Sequence, residues 1–201
     1  MKRGKFVVLE GVSGTGKETQ AKLLRTYLAG RTIRARIVYH PSPELKEILH
    51  TWRTERHITP LTEVYLLLAD RSSRVSQIIA PALARGEWVI SLRNYASALV
   101  YQAKNYAQRR HIAGEFRKFE PKPDVLFYFD ISPQEAMNRV TARHKQTGEQ
   151  LGKFETSVLI KEKRNAYRSV LKTIPHITLD ASQSIQVIHK EIRKKIDVFI
   201  G

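Results

Sequence analysis

The sequence predicts an α/β fold in three layers, a five-stranded parallel sheet with helices on both faces. Three observations carry that expectation. Five short apolar runs punctuate the chain, at 5–10, 33–40, 87–92, 123–132 and 176–180. A stretch of helical periodicity separates each run from the next, as parallel strands require. The first run opens through a glycine-rich loop directly into a helix.

Taken in order, "KFVVLE" (5–10) reads as a buried strand. "ETQAKLLRTYLAG" follows as a helix, with Gly30 placed to stop it. "IRARIVYH" (33–40) is the second strand, and "HPSPELKEILHTW" turns at its prolines into a second helix. The segment 61–86 is strongly helical; Pro81 predicts a break or kink and Gly86 a stop. "EWVISL" (87–92) is the third strand, and one helix is expected from about Tyr95 to Arg109. "PDVLFYFDIS" (123–132) is the fourth strand. Ser132, Pro133 and Glu135 then have the spacing of a capping box at the start of a helix. "HKQTGEQLGKFE" (144–155), poor in apolar residues and carrying two glycines, reads as a mobile loop. A long helix (156–173), the strand "HITLD" (176–180) and an amphipathic helix to about Phe199 complete the pattern. Ligands of such sheets bind beyond the C-terminal strand ends, where the glycine loop, the 92–95 turn and Asp130 are expected to meet.

A length of 201 residues favours one domain with one sizeable core, 1–201. The absence of cysteine excludes disulfides and thiolate chemistry and fits a reducing compartment. The basic start "MKRGKFVVLEG" is followed by too short an apolar run for a secretory signal, and no apolar stretch is long enough to cross a bilayer. A cytoplasmic protein without a membrane partner is expected. The formal net charge of +16 attracts polyanions, and it is spread along the chain rather than gathered in a tail. Nucleic acid is therefore a lesser candidate partner than a nucleotide, though charge alone does not decide between them.

The stretch "LEGVSGTGKETQ" (9–20) is the most informative. It sets Gly11, Gly14, Gly16 and Lys17 in a G-x-x-x-x-G-K frame between a strand and a helix. Glycines let the backbone close on phosphate oxygens, the lysine reaches the outer phosphates, and the free N–H groups of the helix start favour negative charge. Residues Gly11, Val12, Ser13, Gly14, Thr15, Gly16, Lys17, Glu18 and Thr19 are thus expected to hold ATP, and the fold is expected to be of the P-loop NTPase kind. Position 18, where the usual loop has Ser or Thr, is Glu18, with Thr19 next to it. These two are the candidate Mg²⁺ contacts; for Glu18 a solvent-facing acid at the helix start is the equal alternative.

Beyond the loop, the chain resembles the thymidylate kinase family over nearly its full length. The opening "FVVLEGVSGTGKETQAKLL", the block "LLLADRSSRVSQIIAPALARGEWVISLRNYASALVYQ", the stretch "PDVLFYFDISPQEAMNRV" and the end "HITLDASQSIQVIHKEI" carry the resemblance. It implies ATP- and Mg²⁺-dependent phosphorylation of dTMP to dTDP, and a homodimer. Residue by residue, it implies that Lys17 and the loop amides hold the ATP phosphates. Arg71 matches a contact to the base and phosphate of the monophosphate, and Arg93 the arginine that holds the acceptor phosphate. Tyr101 matches an aromatic wall at the sugar 2′ position, and Pro41, Leu67 and Gln102 fall in the same monophosphate-binding set. A lid at about 140–156 is implied, bringing Arg139, Arg143 or Lys153 over the transferring group, with Arg143 grouped with Lys17 and Arg93 as catalytic. Read without the resemblance, Arg71 is a helix-surface ion pair with Asp70 or Glu63, and Tyr101 a core aromatic.

The sequence departs from the family pattern at several ligand-side positions. Ser13 stands where an acid is usual, Leu92 replaces the Asp of the "DRY" turn, and "YHPS" (39–42) keeps only the proline of the "REPG"-like turn. Leu67 replaces the ring that stacks on thymine, Ala98 a polar base contact, and Gly14 occupies the place of a loop arginine in some members. Metal placement and thymine choice are the properties these changes put in question. A kinase for another nucleoside monophosphate or for a deoxynucleoside, and a non-catalytic nucleotide or nucleic-acid binder, remain the alternatives.

Overall fold

The structure, a computed structural model, describes residues 2–55, 58–148 and 152–200. Its sheet is built from β1 (Phe6–Glu10), β2 (Ala35–Tyr39), β3 (Trp88–Leu92), β4 (Val125–Asp130) and β5 (Ile177–Asp180). All neighbours pair parallel, in the order β2-β3-β1-β4-β5. Every residue of β1 and β3 is buried, which is why these strands are unbroken apolar runs rather than alternating ones. Helix α1 (Lys17–Ala29) packs Ala21, Leu24 and Leu28 into the core, and α9 (Ile185–Ile196) packs Ile188, Ile192 and Ile196 there at four-residue spacing.

The helices between them are α2 (Pro43–Glu55), α3 (Pro60–Arg74), α4 (Ala80–Ala84), α5 (Tyr95–Tyr101), α6 (Tyr106–Arg117), α7 (Pro133–Thr147) and α8 (Ser157–Val170). The kink expected near Pro81 takes a specific form. A π turn over Val75–Ile79, in which the Ala80 N–H reaches the Val75 carbonyl, joins α3 to α4. Proline has no N–H and its ring crowds the preceding turn, so the helix widens just ahead of it.

Three sequence expectations are corrected. The helix expected over 95–109 is two helices, because Asn105 caps a new one by accepting the Gln108 N–H. The loop expected from 144 begins later: α7 continues through Thr147, and Gly148 closes it with φ 70°. Residues 149–151 of that segment lie outside the described residues. The capping box is half formed, because the Ser132 hydroxyl accepts the Glu135 N–H while the Glu135 carboxylate turns to Arg139.

Candidate active site

The C-terminal end of β1 runs into the glycine loop, which lies against β4 and α7. Gly14 has φ 79°, and a Cβ there would run into the Ala136 carbonyl of α7; only glycine allows this approach. Lys17 folds back over the loop, its ammonium donating to the Val12 carbonyl (2.6 Å) and the Thr15 hydroxyl (2.8 Å). Burial pushes the Lys17 pKa well below the lysine range, and the nearby charges of Arg93 and Arg143 lower it further, against the opposing influence of Glu10. Arg93 and Arg143 are thus close enough to Lys17 for their charges to act on it, and an anion bound beside Lys17 would offset them.

The end of α7 and the residues before α8 reach the loop through Arg143 and Glu155. One guanidinium nitrogen of Arg143 donates to both Glu155 oxygens (2.8 and 3.0 Å), and the Gly152 N–H donates to the same carboxylate (2.9 Å). Burial works to raise the Glu155 pKa, but Arg143, the Gly152 N–H and the Ser13 hydroxyl hold it below the usual glutamate value. Arg139 stays behind: it pairs with Glu135 and donates to the Ala181 carbonyl (2.8 Å) in the turn after β5. Lys153 is half exposed and reaches Glu63 at 3.3 Å.

Arg93 occupies the first position after β3, with a left-handed φ of 74°. Its N–H donates to the Leu9 carbonyl (3.0 Å), and the Ser91 hydroxyl donates to its carbonyl (2.6 Å). Its guanidinium donates to the Ser97 hydroxyl (3.1 Å) and the Tyr167 hydroxyl (2.8 Å) and lies over the Tyr101 ring, 5.1 Å from the centroid. Burial opposes its charge, yet Tyr101, Tyr167 and Glu10 outweigh that and raise its pKa. Tyr101 is partly buried, packed on the core on one side and open to a cleft on the other. Its ring meets Phe154 edge-on at 4.8 Å, and with Gln102, Glu63, Lys153 and Lys163 it lines a cleft of about 610 Å³.

Arg71 lies behind the site. Its side chain is 0 % exposed and forks onto Glu120, 2 % exposed, through Nε (2.8 Å) and Nη2 (2.7 Å), while Nη1 donates to Ser91 (3.2 Å). The guanidinium is buried on Glu120, so the surface pair with Asp70 or Glu63 does not describe it. Leu67 likewise packs into a small apolar cluster with Leu45 and Leu49. Pro41 follows His40, which is buried against Phe116 with Nδ1 3.5 Å from Asp70. Ala98 and Leu92 are buried apolar residues.

Glu18 lies on the flank of α1, its side chain 59 % exposed, paired with Lys22 (3.5 Å) and accepting the Tyr39 hydroxyl (3.2 Å). Thr19 is exposed beside it. Asp130, expected at the loop, instead grips Arg164 through two nitrogens and Arg168 through one, all from α8. Sequence reasoning missed Glu10, Ser97 and Tyr167. The one available signal was Glu10 itself, a carboxylate ending an apolar strand immediately before the glycines.

A parallel 2-3-1-4-5 sheet whose first strand opens onto such a loop belongs to the P-loop nucleotide-binding class, and the chain is a member of it. Comparison with known proteins narrows the class. The family model described as thymidylate kinase matches residues 9–192. A thymidylate kinase of Caldanaerobacter subterraneus subsp. tengcongensis is 31% identical over 210 aligned residues, spanning 98% of this chain and 97% of that protein. One from Buchnera aphidicola is 30% identical, with 98% and 96% covered. A probable thymidylate kinase of Thermococcus kodakarensis is 30% identical, with 98% of each covered. The chain belongs to the thymidylate kinase family.

Proposed function

We propose that the protein transfers the γ-phosphoryl group of ATP to dTMP, giving dTDP. The observation that carries this reading is the glycine loop with Lys17 folded over it, Arg93 anchored beside it on the Leu9 carbonyl of β1, and Arg143 held by Glu155 on the far side. Phosphoryl transfer asks the protein mainly for positioning and charge neutralisation. In this reading Lys17 and the loop amides of 11–19 take the ATP phosphates, and Arg93 takes the acceptor phosphate. Arg143 covers the transferring group from the lid, the segment of about 140–156, whose closure over the site excludes water. Tyr101 walls the sugar.

Mg²⁺ neutralises phosphate charge when bound. No cluster of three acids or histidines that could hold a metal occurs among the described residues, which suits an ion held chiefly by phosphates and water. Thr19 is the protein group proposed for that role, while Glu18, turned to Lys22 and Tyr39, is the helix-start acid. A homodimer fits the exposed Leu61 and Tyr65, one turn apart on α3, together with Ile48 on α2. Among the described residues no helix is long and apolar enough to cross a membrane, and a cytoplasmic setting suits a nucleotide-consuming reaction.

The test is ADP release by the purified chain with ATP and Mg²⁺ across nucleoside monophosphates and nucleosides. Turnover highest with dTMP is expected, with Arg93→Ala raising the acceptor KM. The apolar Leu67 and Ala98 give a second reading, a monophosphate of another base, which the same panel reads directly. ADP release that no monophosphate stimulates would overturn both.

A further inference from the structure

We infer that Glu10 and Tyr167 are the positioning residues of Arg93, and that through Tyr167 the helix following the lid is tied to the acceptor-phosphate site. The inference rests on the reading of Arg93 as the phosphate-holding arginine. It begins from strain. A non-glycine residue at φ 74° is strained and persists only where the surroundings over-determine it.

Glu10 supplies much of that determination. It is 0 % exposed, and its carboxylate accepts four donors: the Asn94 N–H (2.8 Å), the Ser97 N–H (3.3 Å), the Ser97 hydroxyl (2.8 Å) and the Tyr167 hydroxyl (2.8 Å). The Asn94 contact fixes the backbone just after Arg93. The two hydroxyls fix its side chain, because Ser97 and Tyr167 are the groups to which the Arg93 guanidinium donates. One buried carboxylate thereby sets both the strained backbone and the guanidinium.

The arrangement is built for orientation rather than for neutralising charge. Glu10 stays behind the two hydroxyls and does not fork onto the guanidinium; a direct Arg–carboxylate fork would occupy it, as Glu120 occupies Arg71. Tyr167 lies on α8, the helix that begins just past Glu155, while Arg93 follows β3. The Tyr167 ring also adjoins Tyr101 at 6.2 Å, and Tyr101 touches Phe154. Phe154, α8 and the acceptor arginine therefore share one aromatic and hydroxyl contact set.

Tyr167→Phe keeps the buried ring and removes only the hydroxyl. Glu10→Gln keeps the shape and replaces one acceptor oxygen by a donor. For each we expect kcat/KM for the acceptor monophosphate to fall about 10- to 100-fold, as misplacement of a binding group does, with the ATP KM changed by less than about twofold. In the ¹⁵N–¹H heteronuclear NOE, the Arg93 Nε–H signal, assigned by its loss in Arg93→Lys, is rigid in the parent and mobile in both variants. Ser97→Ala, which removes the other hydroxyl, gives the same pair of changes and serves if either first variant does not fold. An Arg93 signal that stays rigid, with both KM values unchanged and only thermal stability lowered, overturns the inference. If the parent phosphorylates no monophosphate, the functional reading fails, and the Arg93 signal alone decides whether Glu10 and Tyr167 position it.

Discussion

Replacing Glu120 by alanine tests the buried ion pair that holds Arg71. The substitution leaves the Arg71 guanidinium fully buried, with Ser91 as its one remaining partner among those described. Two charge-assisted hydrogen bonds of 2.7 and 2.8 Å disappear. Two unit charges about 4 Å apart attract by about 4 kcal/mol at an effective dielectric constant of about 20. Breaking one side of a buried pair costs about 3–5 kcal/mol, because the other charge stays desolvated. For a domain of this size that corresponds to a fall in Tm of about 6–20 °C. Urea denaturation followed by circular dichroism measures the loss, and an unchanged slope shows that compactness is preserved. The double variant Arg71→Met with Glu120→Leu removes both charges and is expected to recover most of it. Its acceptor KM should match that of the parent, since Arg71 faces the core. A loss below about 1 kcal/mol, the worth of an exposed pair, would refute the buried pair. A raised acceptor KM in the stable double variant would return Arg71 to the substrate.

Other outcomes follow from the same geometry. In the free protein burial, Arg93 and Arg143 depress the Lys17 pKa below its ordinary 10.5. A bound triphosphate favours the charged form, so ATP binding takes up a proton between the depressed value and 10.5. Calorimetry in buffers of different ionisation enthalpy reads the uptake, which Lys17→Met abolishes; buffer-independent heats would contradict it. Gly14→Ala and Gly16→Ala each incur the left-handed cost of about 1 kcal/mol. Only the first adds an overlap, with the Ala136 carbonyl, so its Tm falls further, and equal losses would refute the close approach. Glu18→Gln removes an exposed carboxylate already paired with Lys22. Its midpoint for activation by Mg²⁺ should stay within about twofold of the parent, as expected of a helix-start acid; a larger shift would place Glu18 at the metal.

Much of this protein was legible along the chain because it depends on residues a few positions apart. Unbroken apolar runs such as "FVVL" mark strands covered on both faces, and serine or asparagine before a helix supplies a cap within three residues. The glycine frame of 11–17 places its own turns and its lysine. Where such signals lie inside a periodic stretch, as at Asn105 and Gly148, one expected helix divides in two and another runs past its expected end.

The amino-acid sequence by itself determined the layers, the phosphate loop and the family, all of which follow from spacing and local backbone chemistry. Direction and partnership were decided only by the tertiary structure. Arg71 is a core ion pair because Glu120, 49 residues away, is folded against it, and Glu10 acquires its role from Tyr167, 157 residues away. A side chain's polarity states what it needs, but which distant group meets that need depends on how the sheet orders its strands. Here β1, between β3 and β4, brings Glu10 to the turn that holds Arg93 and to the helix that carries Tyr167.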